Sequence, residues 1–383
     1  MADDADRNAA PRLHDAPLLR AVLGLIFLLG PLLAAEWFMR GQPQWLRPVL
    51  RPYPVAMDMK LLLLEHRGGC PDLVTLGTSL TDHAVPPRYL VEHSLMGAEI
   101  DDPFDFAIAE VRATNMLAQY RWLRRRGCKP DWIIVEVSPA VINGEHGGHT
   151  HDPALLDARA LLGMPKGFAE LRGYAIADQL ELVTHDRLLI HRRRQAITER
   201  LLNQLDAELW FLSAEQRAAA ELEPRERMPA QPLLERDGRI TPMRPGMTEE
   251  TWANEQRKDR HRFAEGYFKW RVNEPEQEAL VQLVREAADA GVAVILHAPP
   301  VTALYHRDIA PKLGIATDFS AFVDEIQQLA DELPRVVWHD AYTDRRYKMP
   351  DFADWIHLSH KGARRYVNQL LDASNLALQA ELR

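Results

Sequence analysis

At 383 residues and 46% hydrophobic content, the chain is long enough to bury a full core, as one large domain with insertions or as two domains. A net charge of −9 at pH 7 argues against a nucleic-acid partner, which would need a clustered basic surface. The main basic run, Arg124-Arg125-Arg126, falls at the end of an expected helix, where cations complement the last carbonyls.

Residues 1–16 read as a tail. From Ala21 to Ala35 there is no charge, and Leu18, Leu19, Trp37, Phe38 and Met39 extend the apolar stretch, so 17–39 is expected to be a transmembrane anchor. Pro31 is tolerable inside such a helix, and Trp37 stands where an interfacial anchor belongs. The competing reading is a cleaved signal peptide, but Leu33-Ala34-Ala35 followed by Glu36 is a poor cleavage site. Arg7, Arg12 and Arg20 on one side balance Arg40, Arg47 and Arg51 on the other, so charge does not orient the anchor. Residues 40–70 read as a linker with a short helix near Met57 to His66.

The folded domain is expected to begin near Pro71, with its first part spanning 71–143. Val74-Thr75-Leu76, Phe104 to Ile108 and Ile133 to Val137 are short continuous apolar runs, the pattern of strands covered on both faces. A helix from about Arg112 to Arg126 places Met116, Leu117, Tyr120 and Leu123 on one face and stops at Gly127. Residues 144–273 break the pattern: they are charged, rich in helical character and interrupted by Pro224, Pro229, Pro232, Pro242 and Pro245. Such a stretch is too long for a simple connection and reads as a helical insertion or lid at the carboxyl end of the third strand.

The second part, 274–383, resumes the alternation. A helix runs from Glu274 to Gly291, a strand from Val292 to Leu296, a helix from about Ser320 to Glu332, and a strand from Arg335 to Trp338. Tyr366, Val367, Leu370 and Leu371 mark a final helix. The expected fold class is therefore α/β, with a doubly wound, mainly parallel sheet of five strands. Cys70 and Cys128 each precede the head of an apolar strand. If those strands are neighbours, a disulfide at the edge opposite the active end is possible and implies an oxidising compartment; two inert buried thiols are the alternative.

Two elements carry chemistry. The first strand ends in Gly77-Thr78-Ser79-Leu80, and Asp354-Trp355-Ile356-His357-Leu358 precedes the last helix. A serine attacks an acyl carbon well when an imidazole takes its proton and a carboxylate fixes that imidazole's tautomer. Taken alone, Ser79 reads as a helix N-cap; paired with the terminal element it reads as a nucleophile. His360 is a rival base one turn further on.

Gly77-Thr78-Ser79-Leu80, together with Asp354 to Ala363, resembles the SGNH, or GDSL-like, hydrolase superfamily. The likeness covers roughly Pro71 to Asn143 and Glu274 to the C-terminus. With an N-terminal membrane helix and a large insertion, it is similar to polysaccharide O-acetylation proteins and to accessory proteins of teichoic-acid D-alanylation. The resemblance implies the flavodoxin-like strand order 2-1-3-4-5, with Ser79 as nucleophile, His357 as base and Asp354 as its orienter. It also implies oxyanion donors. Ser79 is one, and in Phe104-Asp105-Phe106-Ala107 the residues Asp105 and Ala107 stand where the family has Asn and Gly. Glu136-Val137-Ser138-Pro139 lacks the family's Asn, for which Asn143 is the substitute if its loop folds back. Asp105 and His297 are expected at the substrate rim, and for His297 a core histidine with a satisfied ring is the equal alternative.

His146, His149, His151 and Asp152 lie in a glycine-rich loop that could hold zinc or line the entrance; nothing enforces tetrahedral geometry, so no metal and no cofactor are expected. The resulting expectation is an inner-membrane, single-pass, extracytoplasmic esterase or O-acyltransferase acting on an acylated glycan. The alternatives are an accessory protein serving a membrane-bound O-acyltransferase and a cytoplasmic enzyme on an inward-facing anchor.

Overall fold

Runs such as Leu73-Val74-Thr75-Leu76 and Trp132-Ile133-Ile134-Val135-Glu136 show no polar alternation, and both are buried along their whole length in the middle of a sheet. The computed structural model describes residues 69–109, 111–144, 244–264 and 270–381, with Gly30, Ala34, Met57, Lys60, Leu61, Leu63, Leu64, Arg67 and Gly238. In chain order the elements of the first part are β1 (Leu73–Leu76), α1 (Ser79–Ala84), α2 (Pro87–Leu90), β2 (Ser94–Leu95), β3 (Ala98–Glu99), β4 (Pro103–Asp105), α3 (Ala113–Arg125) and β5 (Trp132–Glu136). A 3-10 turn, Pro139–Ile142, closes that part. The second part contains α4 (Glu249–Ala264), α5 (Glu274–Asp289), β6 (Ala293–Ala298), a π-helical turn at Tyr305–Ile309, α6 (Ala310–Leu313), α7 (Ile315–Glu332), β7 (Val336–Asp340) and α8 (His360–Glu381).

The sheet has five strands in the order β4-β1-β5-β6-β7, every neighbouring pair parallel. Counted along the sheet's own strands this is the order 2-1-3-4-5. Alternate residues feed two cores. Val74, Leu76, Ile133, Val135, Val294 and Leu296 pack with α3, α5 and α7 on one face, and Leu73, Ile134, Ala293 and Ile295 pack with α8 on the other. Gly127 and Gly291 take positive φ and stop α3 and α5, which frees the chain to enter β5 and β6.

Several boundaries differ from those expected of the sequence. The second sheet strand ends at Asp105, because the Asp105 carboxylate accepts from the Ala107 amide and turns the chain, although Phe106 and Ile108 still donate to Thr75 and Gly77 carbonyls. Helix α7 begins at Ile315, earlier than Ser320, directly after Gly314 in left-handed conformation. The hairpin of β2 and β3 has no counterpart among the expected elements. Helical residues upstream of Pro71 also belong to the domain body: Met57 and Leu61 are buried in its core.

The expected anchor, 17–39, lies outside the described residues apart from Gly30 and Ala34. Among the described residues no helix is long and apolar enough to cross a membrane. Most of 144–273 is likewise outside, but its ends are tied together. Gly144 N–H donates to the Arg271 carbonyl at 2.7 Å, Asn273 N–H donates to Ile142 at 3.0 Å, and Asn143 pairs antiparallel with Val272.

Cys70 and Cys128 form a disulfide, with Cα atoms 5.0 Å apart. The bond joins the amino ends of β1 and β5, beside the Asp131 and Trp132 amides that both donate to the Asp72 carbonyl. It closes a loop across a sequence separation of 58. Replacing both cysteines by Ala should lower the unfolding free energy by roughly 2–5 kcal/mol, read as a shift of the urea midpoint. The same variant should leave the loops at the carboxyl ends of the strands in place, because the tie is at the far end.

Candidate active site

All five strands run the same way, so the loops at their carboxyl ends gather along one edge. The turn after β1 contributes Ser79 as the first residue of α1. The N-cap is Thr78, whose Oγ1 accepts from the Leu80 amide at 3.1 Å, so the capping role considered for Ser79 belongs to its neighbour. The Ser79 side chain is thereby freed, half-buried, to face the loop between β7 and α8.

That loop is closed on itself by the Ala353 N–H to His357 carbonyl bond and by an antiparallel bridge between Phe352 and Leu358. Inside it Asp354 Oδ1 accepts from the amides of Ile356 at 3.0 Å and His357 at 2.9 Å, while Asp354 Oδ2 lies 2.8 Å from His357 Nδ1. His357 Nε2 is 2.9 Å from Ser79 Oγ. The carboxylate only accepts, so Nδ1 carries the proton and Nε2 is left to accept from the serine hydroxyl. Burial raises the Asp354 carboxyl, but the hydrogen bond and charge of His357 and the two amides outweigh it, leaving the group below the usual carboxylate range.

Neighbours hold this arrangement from two sides. The buried His83 ring, on α1, lies 4.6 Å from the His357 ring, centroid to centroid. Residues 244–248 of the inserted stretch cross the same loop: Met247 N–H donates to Phe352 at 2.7 Å, His360 N–H donates to Arg244, and Arg244 Nη1 stands 3.7 Å from Asp354 Oδ2. His360, the rival base, is exposed and sets its ring edge-on to Tyr89 at 5.5 Å.

Other expected site residues have different duties. Ala107 N–H is committed to Asp105 Oδ1 at 2.9 Å, which leaves it unable to serve as an oxyanion donor. Asn143 accepts from the Arg271 amide at 3.2 Å and pairs with Val272, so it holds the returning chain. The amides of Thr78, Leu80 and Thr81 are taken by Glu136 and Thr78 side chains, whereas that of Ser79 engages none of them. Asp105 and His297 are fully buried and are not at a rim. Each is the polar residue of an otherwise apolar run, and the parallel register draws both beneath the site. The loop with His146, His149 and His151 lies outside the described residues, and among the described residues no cluster could hold a metal ion.

Asp105 meets Lys60 Nζ at 3.0 Å and Thr75 Oγ1 at 2.9 Å, and Lys60 also donates to the Ala107 carbonyl. Burial pushes the Asp105 carboxyl up to about 7, with Lys60 opposing and Asp82 adding to the rise. Asp82 is itself buried, and its Oδ1 has no hydrogen-bond partner. His297 is held neutral, its pKa lowered to about 3 by burial and by His339. Sequence reasoning passes over Lys60, Asp82 and Glu136; an acidic residue inside Ile133-Ile134-Val135-Glu136-Val137 is the one signal that could have marked the last.

The sequence matches no protein-family model and no curated protein. Among solved structures it is similar to one titled as a "putative platelet activating factor" from Streptococcus pneumonia, with 11% identity and a TM-score of 0.35 over 91% of this chain and 99% of that chain.

The Asp105 shift has a stability consequence with a definite sign. Unfolded, this carboxyl releases its proton near pH 4, whereas in the fold it keeps it to about 7. Between those values the folded state binds more protons, so stability falls as pH rises through the window. Asp82→Asn removes one cause of the rise. The decline in urea midpoint between pH 5 and 7.5 should become shallower than in the parent chain, and an unchanged slope would mean that Asp82 does not act on Asp105.

Proposed function

We propose that the chain is a serine esterase or O-acyltransferase of SGNH type, working through an acyl-enzyme on Ser79 and acting on acyl, foremost acetyl, esters of a cell-envelope or exported glycan. The observation that carries the reading is the unbroken chain from Ser79 Oγ through His357 to Asp354 at the carboxyl edge of a parallel sheet. The resemblance of Gly77-Thr78-Ser79-Leu80 and of the Asp354 to Ala363 stretch to the superfamily supplies the substrate class.

In this mechanism Ser79 Oγ attacks the ester carbonyl carbon while His357 Nε2 takes the hydroxyl proton. The imidazolium that forms is stabilised by Asp354, which also prevents the ring from turning over. The amide of Ser79 faces the developing oxyanion. When the tetrahedral intermediate collapses, the C–O bond to the leaving alcohol breaks and that oxygen receives the proton from His357. The acyl group stays on Ser79. Water or a second hydroxyl then attacks the acyl-enzyme, with His357 again accepting a proton and returning it to Ser79. Hydrolysis and transfer differ only in that acceptor.

In the same reading, 17–39 anchors the protein by a single pass in the inner membrane and the domain is extracytoplasmic. The Cys70–Cys128 bond favours that side, since disulfides persist in oxidising compartments. A second reading, an accessory protein with this fold serving a membrane-bound O-acyltransferase, is favoured by the commitment of the Ala107 amide and the Asn143 side chain to other partners.

A fluorophosphonate probe separates the two. The enzyme reading expects a covalent adduct on Ser79, none in Ser79→Ala, and labelling slowed roughly 10³–10⁴-fold in Asp354→Asn, where the imidazole adopts the wrong tautomer. A folded parent chain that takes no label belongs to the accessory reading. For the anchor, reporters fused after Arg383 should be active outside the cytoplasm and silent within it; the reverse pattern removes the exported-glycan substrate.

A further inference from the structure

Beneath the nucleophile turn sits a carboxylate that takes no part in the acyl transfer itself. Glu136, at the end of β5, is fully buried and accepts five hydrogen bonds. Its Oε2 receives the Thr78 amide at 2.7 Å, the Thr81 amide at 3.2 Å and the Thr81 hydroxyl at 2.7 Å. Its Oε1 receives the Ser138 hydroxyl at 2.6 Å and the Thr78 hydroxyl at 2.8 Å. Ser79 is thus flanked on both sides by residues bound to one carboxylate. Such an approach needs Gly77: a Cβ there would lie 2.7 Å from Oε2.

The network continues toward the histidine. The Thr81 hydroxyl has spent its single proton on Glu136, so at 3.1 Å from His297 Nε2 it can only accept. His297 therefore carries its proton on Nε2, and its Nδ1 accepts from the Tyr366 hydroxyl at 3.0 Å. Tyr366 is a buried residue of α8, the helix that leaves the loop carrying His357. A single directed chain, Tyr366 to His297 to Thr81 to Glu136, crosses from the histidine-bearing element to the serine-bearing one. Every member is buried, and the low-dielectric surroundings strengthen each bond.

We infer that Glu136 is a positioning residue for the nucleophile: it clamps the turn carrying Ser79 and, through Thr81, His297 and Tyr366, sets the separation of Ser79 from His357. The inference rests on the reading of Ser79 as nucleophile. A clamp of this kind acts on the reaction step and not on ligand capture, since every member of the chain is fully buried and none is open to solvent. Glu136→Gln replaces an acceptor by an amide that turns donors toward the Thr78 and Thr81 amides, so the turn must shift while the volume stays the same.

The test measures fluorophosphonate inactivation at several probe concentrations, separating the maximal rate from the half-saturating concentration. Thermal midpoint and near-ultraviolet circular dichroism are followed alongside. Glu136→Gln should lower the maximal rate about 10–100-fold, the scale of a displacement of order 1 Å, with half-saturation unchanged. Thr81→Val should lower it in the same way, and Thr81→Ser, which keeps the hydroxyl, should restore most of the loss. If Glu136→Gln does not fold, the Thr81 pair decides alone. Equal maximal rates in Thr81→Val, Thr81→Ser and the parent overturn the clamp, as does a folded Glu136→Gln that reacts at the parent rate. Failure of the parent itself to label overturns the Ser79 reading first, and that outcome is distinct from a labelled parent with indifferent variants.

Discussion

Parallel pairing is the constraint on which the site depends. β1 pairs with β5 and β5 with β6, all in one direction, so the loops leaving their carboxyl ends must emerge at one edge. Ser79 lies just past the end of β1, Glu136 ends β5, and His297 sits next to the end of β6. An antiparallel partner in any of these positions would send one of the three to the opposite end of the molecule. The loop carrying Asp354 and His357 reaches the same edge after β7, tied to itself by backbone bonds before α8 begins.

Much of this was legible in the sequence, for physical reasons that also mark the limits. Strands buried on both faces appear as unbroken apolar runs, and helices of the same layer stop at Gly127 and Gly291, where only a residue without a side chain takes positive φ readily. The Asp354 and His357 pair is legible because a three-residue separation lets a tight turn close carboxylate on imidazole. What did not show is depth. Asp105 takes its rim expectation from its place in the resemblance, and His297, just past the apolar run Val292 to Leu296, reads equally as a rim or a core residue. Whether such a group faces solvent or a neighbouring strand depends on the register with Thr75 and Glu136, which come from other parts of the chain. Lys60 was equally opaque: a lysine in a short helix expected ahead of the domain gives no sign that it will be buried against Asp105.

Two buried polar systems flank the turn that carries Ser79, and they differ in kind. Around Glu136 every hydroxyl has its partner, and a fully satisfied network of this sort favours one geometry over others. Around Asp105 the balance is incomplete. A second carboxyl, Asp82, lies beside it with an oxygen left over, and burial disfavours the charge that Lys60 would favour. Asp82 comes after Ser79 on the same short helix, so the less settled of the two systems is attached to the same element that the better-settled one holds.

The paired ends of the 144–273 stretch carry an evolutionary consequence. Because residues 142–144 and 271–273 bond to each other, the sheet meets a joint of fixed width whatever is strung between. The entropy of closing that joint grows only slowly with the number of residues it encloses. The length of what is strung there can change among descendants while the strands, and the Ser79, His357 and Asp354 contacts at their carboxyl edge, keep their places.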